Sequence, residues 1–300
     1  MPELPEVETV RQQLMREVVG RKVKAVAVTN SKIVRRHKNI KDFREQLEGH
    51  TMKGVARLGK YLIIELDDGS SLVIHLRMSG QLQRVKSVKE EKKKHTHVVI
   101  TFTQTGELRF IDPRTFGEMF ISRPPAEGVV TPVSDSSTVA MGGEGANLRQ
   151  RVAELAGLGF DPVEDTMSWD RFAYLLRLKS LPLKTFLTDQ ALVSGIGNIY
   201  ADEILFGAGL RYDRKTDELS PTEVRRLWRS LVEILAEGIK HGGSTLDDEQ
   251  FVDLHGKAGN FQTFHEAYNR EGLPCRRCRN PIVKVKHQQR STYFCEHCQI

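Results

Sequence analysis

Pro2, flanked by Glu3 and Glu6, occupies the position in this chain with the most direct chemical consequence. Removal of Met1 would turn it into a secondary amine. Condensed with a sugar aldehyde, such an amine gives an iminium ion, cationic without further protonation, which withdraws electrons from the attached carbons and opens them to elimination. The positive end of a following helix and the two carboxylates act on that amine in opposite senses. The same residues also suit a plain helix start, because proline fits the first turn and acids complement the dipole there.

A second chemistry lies at the other end. All four cysteines fall in Cys275-x2-Cys278 and Cys295-x2-Cys298, the spacing of two knuckles closing one tetrahedral thiolate site. Four thiolates leave no open coordination position, so the expected zinc is single and structural. Between the knuckles, residues 282–286 and 290–294 read as two strands of a hairpin with exposed cations, either a phosphate reader or a solubilising tail. Gly195-Ile196-Gly197-Asn198 joins two helical segments. Its glycines and helix-start amides could cradle a phosphate, and an ordinary interhelical turn would look the same.

These residues need elements to hold them. A chain of 300 residues with 39% hydrophobic content predicts two domains with real cores. Lys and Arg total 45 against 39 for Asp and Glu, a net charge of +6 that suits a polyanionic partner. No basic leader with an apolar run occurs, nor any stretch long enough to span a bilayer, so a soluble intracellular protein, cytoplasmic and without membrane contact, is expected. Val7, Val10, Leu14 and Val18 recur at helical spacing and predict an amphipathic helix over 5–19, ended by Gly20. Short apolar segments at 22–30, 51–57, 60–66, 71–76, 97–103, 107–111 and 117–122 predict an antiparallel β-sandwich. The lysine-rich run 89–94 reads as a solvated loop. From about residue 124 to 147, Pro, Gly, Ser and Thr replace periodic hydrophobics, the composition of a flexible linker. Beyond it, 169–179 and 183–193 read helical, and Ser220-Pro221-Thr222-Glu223 is a capping box for a helix running to about Lys240.

Taken together, the opening Met1-Pro2-Glu3-Leu4-Pro5-Glu6-Val7-Glu8, Gly59-Lys60-Tyr61-Leu62, His75-Leu76-Arg77-Met78-Ser79-Gly80, Asp112-Pro113-Arg114-Thr115-Phe116-Gly117, the segment from Gly195 to Glu203 and the cysteine hairpin resemble bacterial formamidopyrimidine-DNA glycosylases over nearly the whole length. The resemblance implies an α+β multidomain fold: a β-sandwich with a flanking helix (1–123), a linker (124–147), a helix-two-turn-helix domain (148–270) and a zinc finger (271–300). It implies a bifunctional glycosylase and abasic-site lyase of base excision repair that excises 8-oxoguanine and formamidopyrimidines from duplex DNA through a Schiff base at Pro2, with β,δ-elimination. Glu3 would move protons at the sugar, Glu6 would support the N-terminus, and Lys60 would contact phosphate near the lesion. Met78, Arg114 and Phe116 would fill the void left by the extruded base, the arginine pairing with the orphaned cytosine. Asn198, Arg290 and Lys184 would grip phosphates. Gly256, Lys257, Gly259 and Phe261 would belong to a loop closing over the base.

The expected partner is damaged double-stranded DNA, bound by a monomer associated with the nucleoid, with zinc as the one cofactor and no redox or nucleotide group. Two alternatives stand beside this reading: an endonuclease VIII-like specificity for oxidised pyrimidines, and a catalytically silent zinc protein that binds DNA. Leu4 and the complete Met78, Arg114, Phe116 set favour the purine-directed enzyme. The linker and the loop at 86–94 are longer than the family pattern.

Overall fold

The computed structural model describes residues 1–125 and 142–300. The chain divides into two compact units, the first holding residues 1–125, 150–154 and 241–262, the second residues 142–149, 155–240 and 263–300.

The first unit begins with helix α1 (Leu4–Val18), whose stripe of Leu4, Val7, Val10, Leu14 and Val18 is buried as its spacing predicts. Helix entry is fixed by a reciprocal capping box between Glu3 and Glu6, with Pro5 in the first turn. The elements that follow are β1 (Val23–Val28), α2 (Ile40–Glu45), β2 (Met52–Leu58), β3 (Tyr61–Leu66), β4 (Ser71–His75), β5 (Gln81–Val85), β6 (Thr96–Phe102), β7 (Glu107–Ile111) and β8 (Glu118–Ser122). They form two antiparallel four-stranded sheets, ordered β1-β6-β7-β5 and β2-β3-β4-β8. Val26, Ile100, Leu108 and Phe110 of one sheet share a core with Ile64, Leu72, Ile74 and Met119 of the other and with the α1 stripe. The expected sandwich has one strand more than the sequence pattern indicates. In β5, Gln81, Gln83 and Arg84 mask a strand whose Leu82 and Val85 are buried.

The second unit contains β9 (Gly142–Gly143), α3 (Glu144–Arg151) up to Arg149, β10 (Asp165–Thr166), α4 (Trp169–Arg177), α5 (Leu183–Thr188), α6 (Asn198–Ala208), α7 (Pro221–Lys240), and the hairpin β11 (Val283–His287) and β12 (Arg290–Phe294). Most of the linker expected over 124–147 lies outside the described residues. Its last part is ordered: β9 pairs with β10, and α3 starts at Glu144, anchored by buried Leu148 and by Arg149, which is bidentate on Asp165. The helix expected over 183–193 stops at Thr188. Asp189 turns extended and its carboxylate accepts the Ala191 N–H, which diverts the backbone from the helical path. Helix α7 packs Val224, Leu227, Leu231 and Leu235 inward, and Trp228 lies with its ring centroid 5.0 Å from that of Phe172 in α4. Among the described residues, no helix is long and apolar enough to cross a membrane.

Candidate functional site

At the N-terminus, Pro2, Glu3 and Glu6 are all buried. The Glu6 carboxylate bridges two segments far apart in sequence: Oε2 accepts the Glu3 N–H at 2.7 Å and Oε1 accepts the Ser244 N–H at 2.7 Å. Gly243, at φ +79°, lies against the Glu6 carboxylate so closely that any Cβ there would collide with it. Glu6 thus locks the segment bearing Pro2 and Glu3 onto residues 241–245. This contact joins residues 241–262, which the resemblance counts with the helix-two-turn-helix domain, to the first unit.

Lys60 sits in the two-residue turn between β2 and β3, closed by the Leu58–Tyr61 pair, with Gly59 at φ +56°. Its side chain is buried. Beneath it, Arg57 is fully buried, donating to Glu8 at 3.0 Å and to the Gly59 carbonyl at 3.2 Å, so the turn rests on an ion pair rooted in α1. His75, cross-strand from Tyr61, is pushed down to about 3 by burial first and then by the Arg77 and Lys60 cations. It is therefore neutral, and its Nδ1 accepts the Arg77 N–H at 2.9 Å.

Met78 and Phe116 are apolar yet 38% and 49% exposed, and Arg114 is exposed beside Phe116, its guanidinium 5.3 Å from the ring centroid. Asp112, fully buried, organises both loops that carry them. One carboxylate oxygen accepts the Ser79 hydroxyl at 2.6 Å and the Arg114 N–H at 3.2 Å, and the other accepts the Gly117 N–H at 2.7 Å. Gly80 and Gly117 both press on the Phe110 ring, where a Cβ would collide. Such a base holds two exposed apolar side chains in fixed relation. Sequence reasoning quoted Asp112 in its motif without giving it this role.

The loop at 254–261 divides. Gly256, at φ +80°, and Lys257 lie at an exposed tip, whereas Gly259 and Phe261 are buried at its base. The tip is closed by Asp253, whose Oδ1 accepts the His255 and Lys257 N–H groups at 2.9 and 2.8 Å. Its Oδ2 accepts from Gln13 of α1 at 2.8 Å. The loop is therefore attached to the helix that begins at the N-terminal proline segment.

In the second unit, Asn198 begins α6, and its side-chain amide donates to the Ser291 carbonyl at 2.9 Å, while its Oδ1 has no hydrogen-bond partner. Arg290 is exposed at the start of β12, on a groove of about 300 Å³ lined by Thr185, Thr188, His287 and Gln288. Lys184 is held on several sides. Its side chain is 2% exposed, and its ammonium contacts Asp202 at 2.6 Å, the Thr292 hydroxyl at 2.8 Å and the Ser291 carbonyl at 3.1 Å. An ammonium so committed fastens β12 to α5 and α6, and Lys184 also lines the groove that carries Arg290.

Burial pushes Asp202 up to about 7 against the pull of Lys184, and its other oxygen accepts the Tyr293 N–H at 3.0 Å. Glu203, raised by complete burial, accepts the N–H groups of Glu266, Ala267 and Tyr268. Of the acids ending the Gly195–Glu203 motif, Asp202 thus holds the hairpin strand β12 and Glu203 holds residues 266–268, roles with no local sequence signal.

On either side of the hairpin β11–β12, the four cysteine sulfurs lie within 4.8 Å of one another, with Cys275–Cys298 and Cys278–Cys295 separations of 3.9 and 3.4 Å. A tetrahedral zinc with bonds of about 2.3 Å needs sulfurs about 3.8 Å apart. The four thiolates fit one structural zinc, which leaves no coordination position for chemistry.

Three family models match the chain: the formamidopyrimidine-DNA glycosylase N-terminal domain over residues 1–119, the H2TH domain of the same enzymes over 158–250, and the zinc finger found in FPG and IleRS over 272–300. Formamidopyrimidine-DNA glycosylase of Herpetosiphon aurantiacus is 39% identical over 300 residues, covering 100% of both chains. That of Pelotomaculum thermopropionicum is 37% identical, covering 100% of this chain and 99% of its own. Among solved structures, MutM (Fpg) from Thermus thermophilus superposes with a TM-score of 0.80 at 36% identity, covering 99% and 98% of the two chains. The Lactococcus lactis Fpg in complex with DNA containing an abasic site gives 0.81 at 32% identity, covering 99% of each.

Proposed function

The chain belongs to the formamidopyrimidine-DNA glycosylase family, and from that premise we infer that its N-terminal proline is the covalent catalyst of a DNA glycosylase and abasic-site lyase acting on oxidised purines. The observation that carries this reading is the buried Pro2, Glu3, Glu6 cluster, with Glu6 tying the Glu3 amide to the Ser244 amide. In the full chain Met1 holds the Pro2 nitrogen as an amide, so the chemistry requires removal of Met1.

The freed Pro2 nitrogen attacks the sugar carbon bearing the damaged base. The carbon–base bond breaks and the base leaves with a proton. Ring opening, with Glu3 delivering a proton to the ring oxygen, gives the iminium between Pro2 and the sugar. The cation acidifies the adjacent carbon. Proton loss there expels the 3′ phosphate, a second elimination expels the 5′ phosphate, and water releases the sugar fragment and restores the amine.

Lys60 supplies positive charge on the same unit. Met78 and Phe116 enter the vacated stack, and Arg114 pairs with the acceptor edge of the orphaned cytosine. The exposed tip of Gly256 and Lys257 closes over the extruded base, with Gly259 and Phe261 anchoring its ends. Asn198 and Arg290 hold flanking phosphates, and Lys184 positions the strand carrying Arg290. We assign catalysis to 1–123, backbone binding to 148–240 and to the finger 271–300, and action in the cytoplasm at the nucleoid, a reducing compartment that suits a thiolate zinc site.

Borohydride trapping on a duplex with 8-oxoguanine opposite cytosine, followed by peptide mapping, tests this assignment. The expected adduct is at Pro2. An adduct at a lysine, or trapping on thymine glycol in preference to 8-oxoguanine, would overturn the nucleophile or the lesion class.

A further inference from the structure

We propose that Glu118 is a positioning residue for base extrusion: its carboxylate gathers three arginines into a knot that sets the spacing between the Met78 and Phe116 loops. The proposal rests on the wedge role given to those two residues. His75, the last residue of β4, is paired in register with Glu118, the first of β8. The Met78 loop leaves the sheet at one of these positions and the Phe116 loop enters it at the other, so a group at Glu118 stands where the two loops are joined.

The Glu118 side chain is 3% exposed. Its Oε2 accepts from Arg35 and Arg36, both at 3.1 Å, and its Oε1 accepts from Arg36 and Arg77, both at 3.2 Å. Each arginine reaches a different part of the apparatus. Arg35 also donates to the Gly117 carbonyl at 3.0 Å and lies 3.4 Å from the Phe116 carbonyl, gripping the backbone of the second loop. Arg36 stacks on Phe120 in β8, with its guanidinium 4.0 Å from the ring centroid. Arg77 immediately precedes Met78 and holds a left-handed backbone, φ +55°, that an arginine adopts only under constraint. Its Nε has no hydrogen-bond partner, so Glu118 is its charge anchor. Three cations around one carboxylate repel one another, and without the acid they separate, releasing Arg77 and with it the turn that aims Met78.

This knot is distinct from the buried Asp112, which fastens the two loops at their base. Glu118 sets the other side, where Arg77 and Arg35 converge. Its removal should impair the step in which a base is pushed out, and spare the chemistry at Pro2.

The test compares wild type, Glu118→Gln, Arg77→Ala and the double variant, each freed of Met1. Single-turnover base excision is measured on an 8-oxoguanine duplex with 2-aminopurine beside the lesion, and strand cleavage on a duplex with a preformed abasic site. Glu118→Gln should slow base excision about tenfold or more and reduce the 2-aminopurine rise. Abasic-site cleavage should stay within about twofold. The double variant should be no worse than the more impaired single one, because the two residues act through one contact. Equal losses on both substrates, additive losses, or excision at the wild-type rate would each overturn the proposal. Borohydride trapping of wild type at Pro2 tests the underlying functional reading independently.

Discussion

His75 carries a pH dependence that its position dictates. Burial, Arg77 and Lys60 hold it near 3, and its Nδ1 can accept the Arg77 N–H only while unprotonated. The unfolded chain takes up this proton below about 6.5, the native chain only near 3, so stability is full above 6.5 and declines as pH falls below it. His265, held near 4 chiefly by burial, acts in the same sense in the second unit. Asp202 and Glu203, raised by burial, act in the opposite sense, so the histidine contribution is read as a difference between proteins in urea unfolding from pH 7 to 5. His75→Gln should lose less stability than the wild type over that range, and an equal loss would exclude His75 as a source. Pro2 and the four cysteines are legible in the sequence because their chemistry depends on position in the chain or on near-neighbour spacing. Asp112, Glu118, Asp202 and Glu203 are not, because each acquires its role from partners brought near only by folding.

Among the elements, the hairpin β11–β12 depends most on contacts outside itself. Lys184 joins it to α5 and α6 through Asp202, Thr292 and Ser291. Lys184→Met should leave a buried carboxylate whose remaining recourse is protonation. Asp202 is already pushed up to about 7 beside Lys184 and the substitution raises it further, so the loss of stability should be largest at pH 8, where the wild-type carboxylate is ionised, and small at pH 5, where it is protonated in both proteins. Loss of a surface phosphate contact would instead leave unfolding unchanged at both pH values, so denaturation of the variant separates the two roles. The same dependence on remote partners explains which elements the sequence discloses. Helices α1 and α7 show a full apolar stripe with local caps, and their existence and extent are legible. Strand β5 and helix α3 have mostly polar residues and owe their order to pairing with β7 and to the Arg149–Asp165 pair.

For the molecule as a whole, the net charge of +6 and the exposed Arg290 predict binding driven by counterion release. Affinity for undamaged duplex should fall linearly in log Kd against log salt, with about −0.9 in log affinity per phosphate neutralised. Arg290→Ala should reduce that slope by about one contact, and an unchanged slope would remove Arg290 from the phosphate set. The first unit is also discontinuous: the partner that locks Glu6 is Ser244, 238 residues later. A ribosome adding about 5–20 residues per second needs roughly 12–50 seconds to reach it. Throughout that interval the nascent N-terminus lacks its final clasp. The Met1–Pro2 bond therefore has a period of access during synthesis, when the processing that the proposed chemistry at Pro2 requires meets no closed fold.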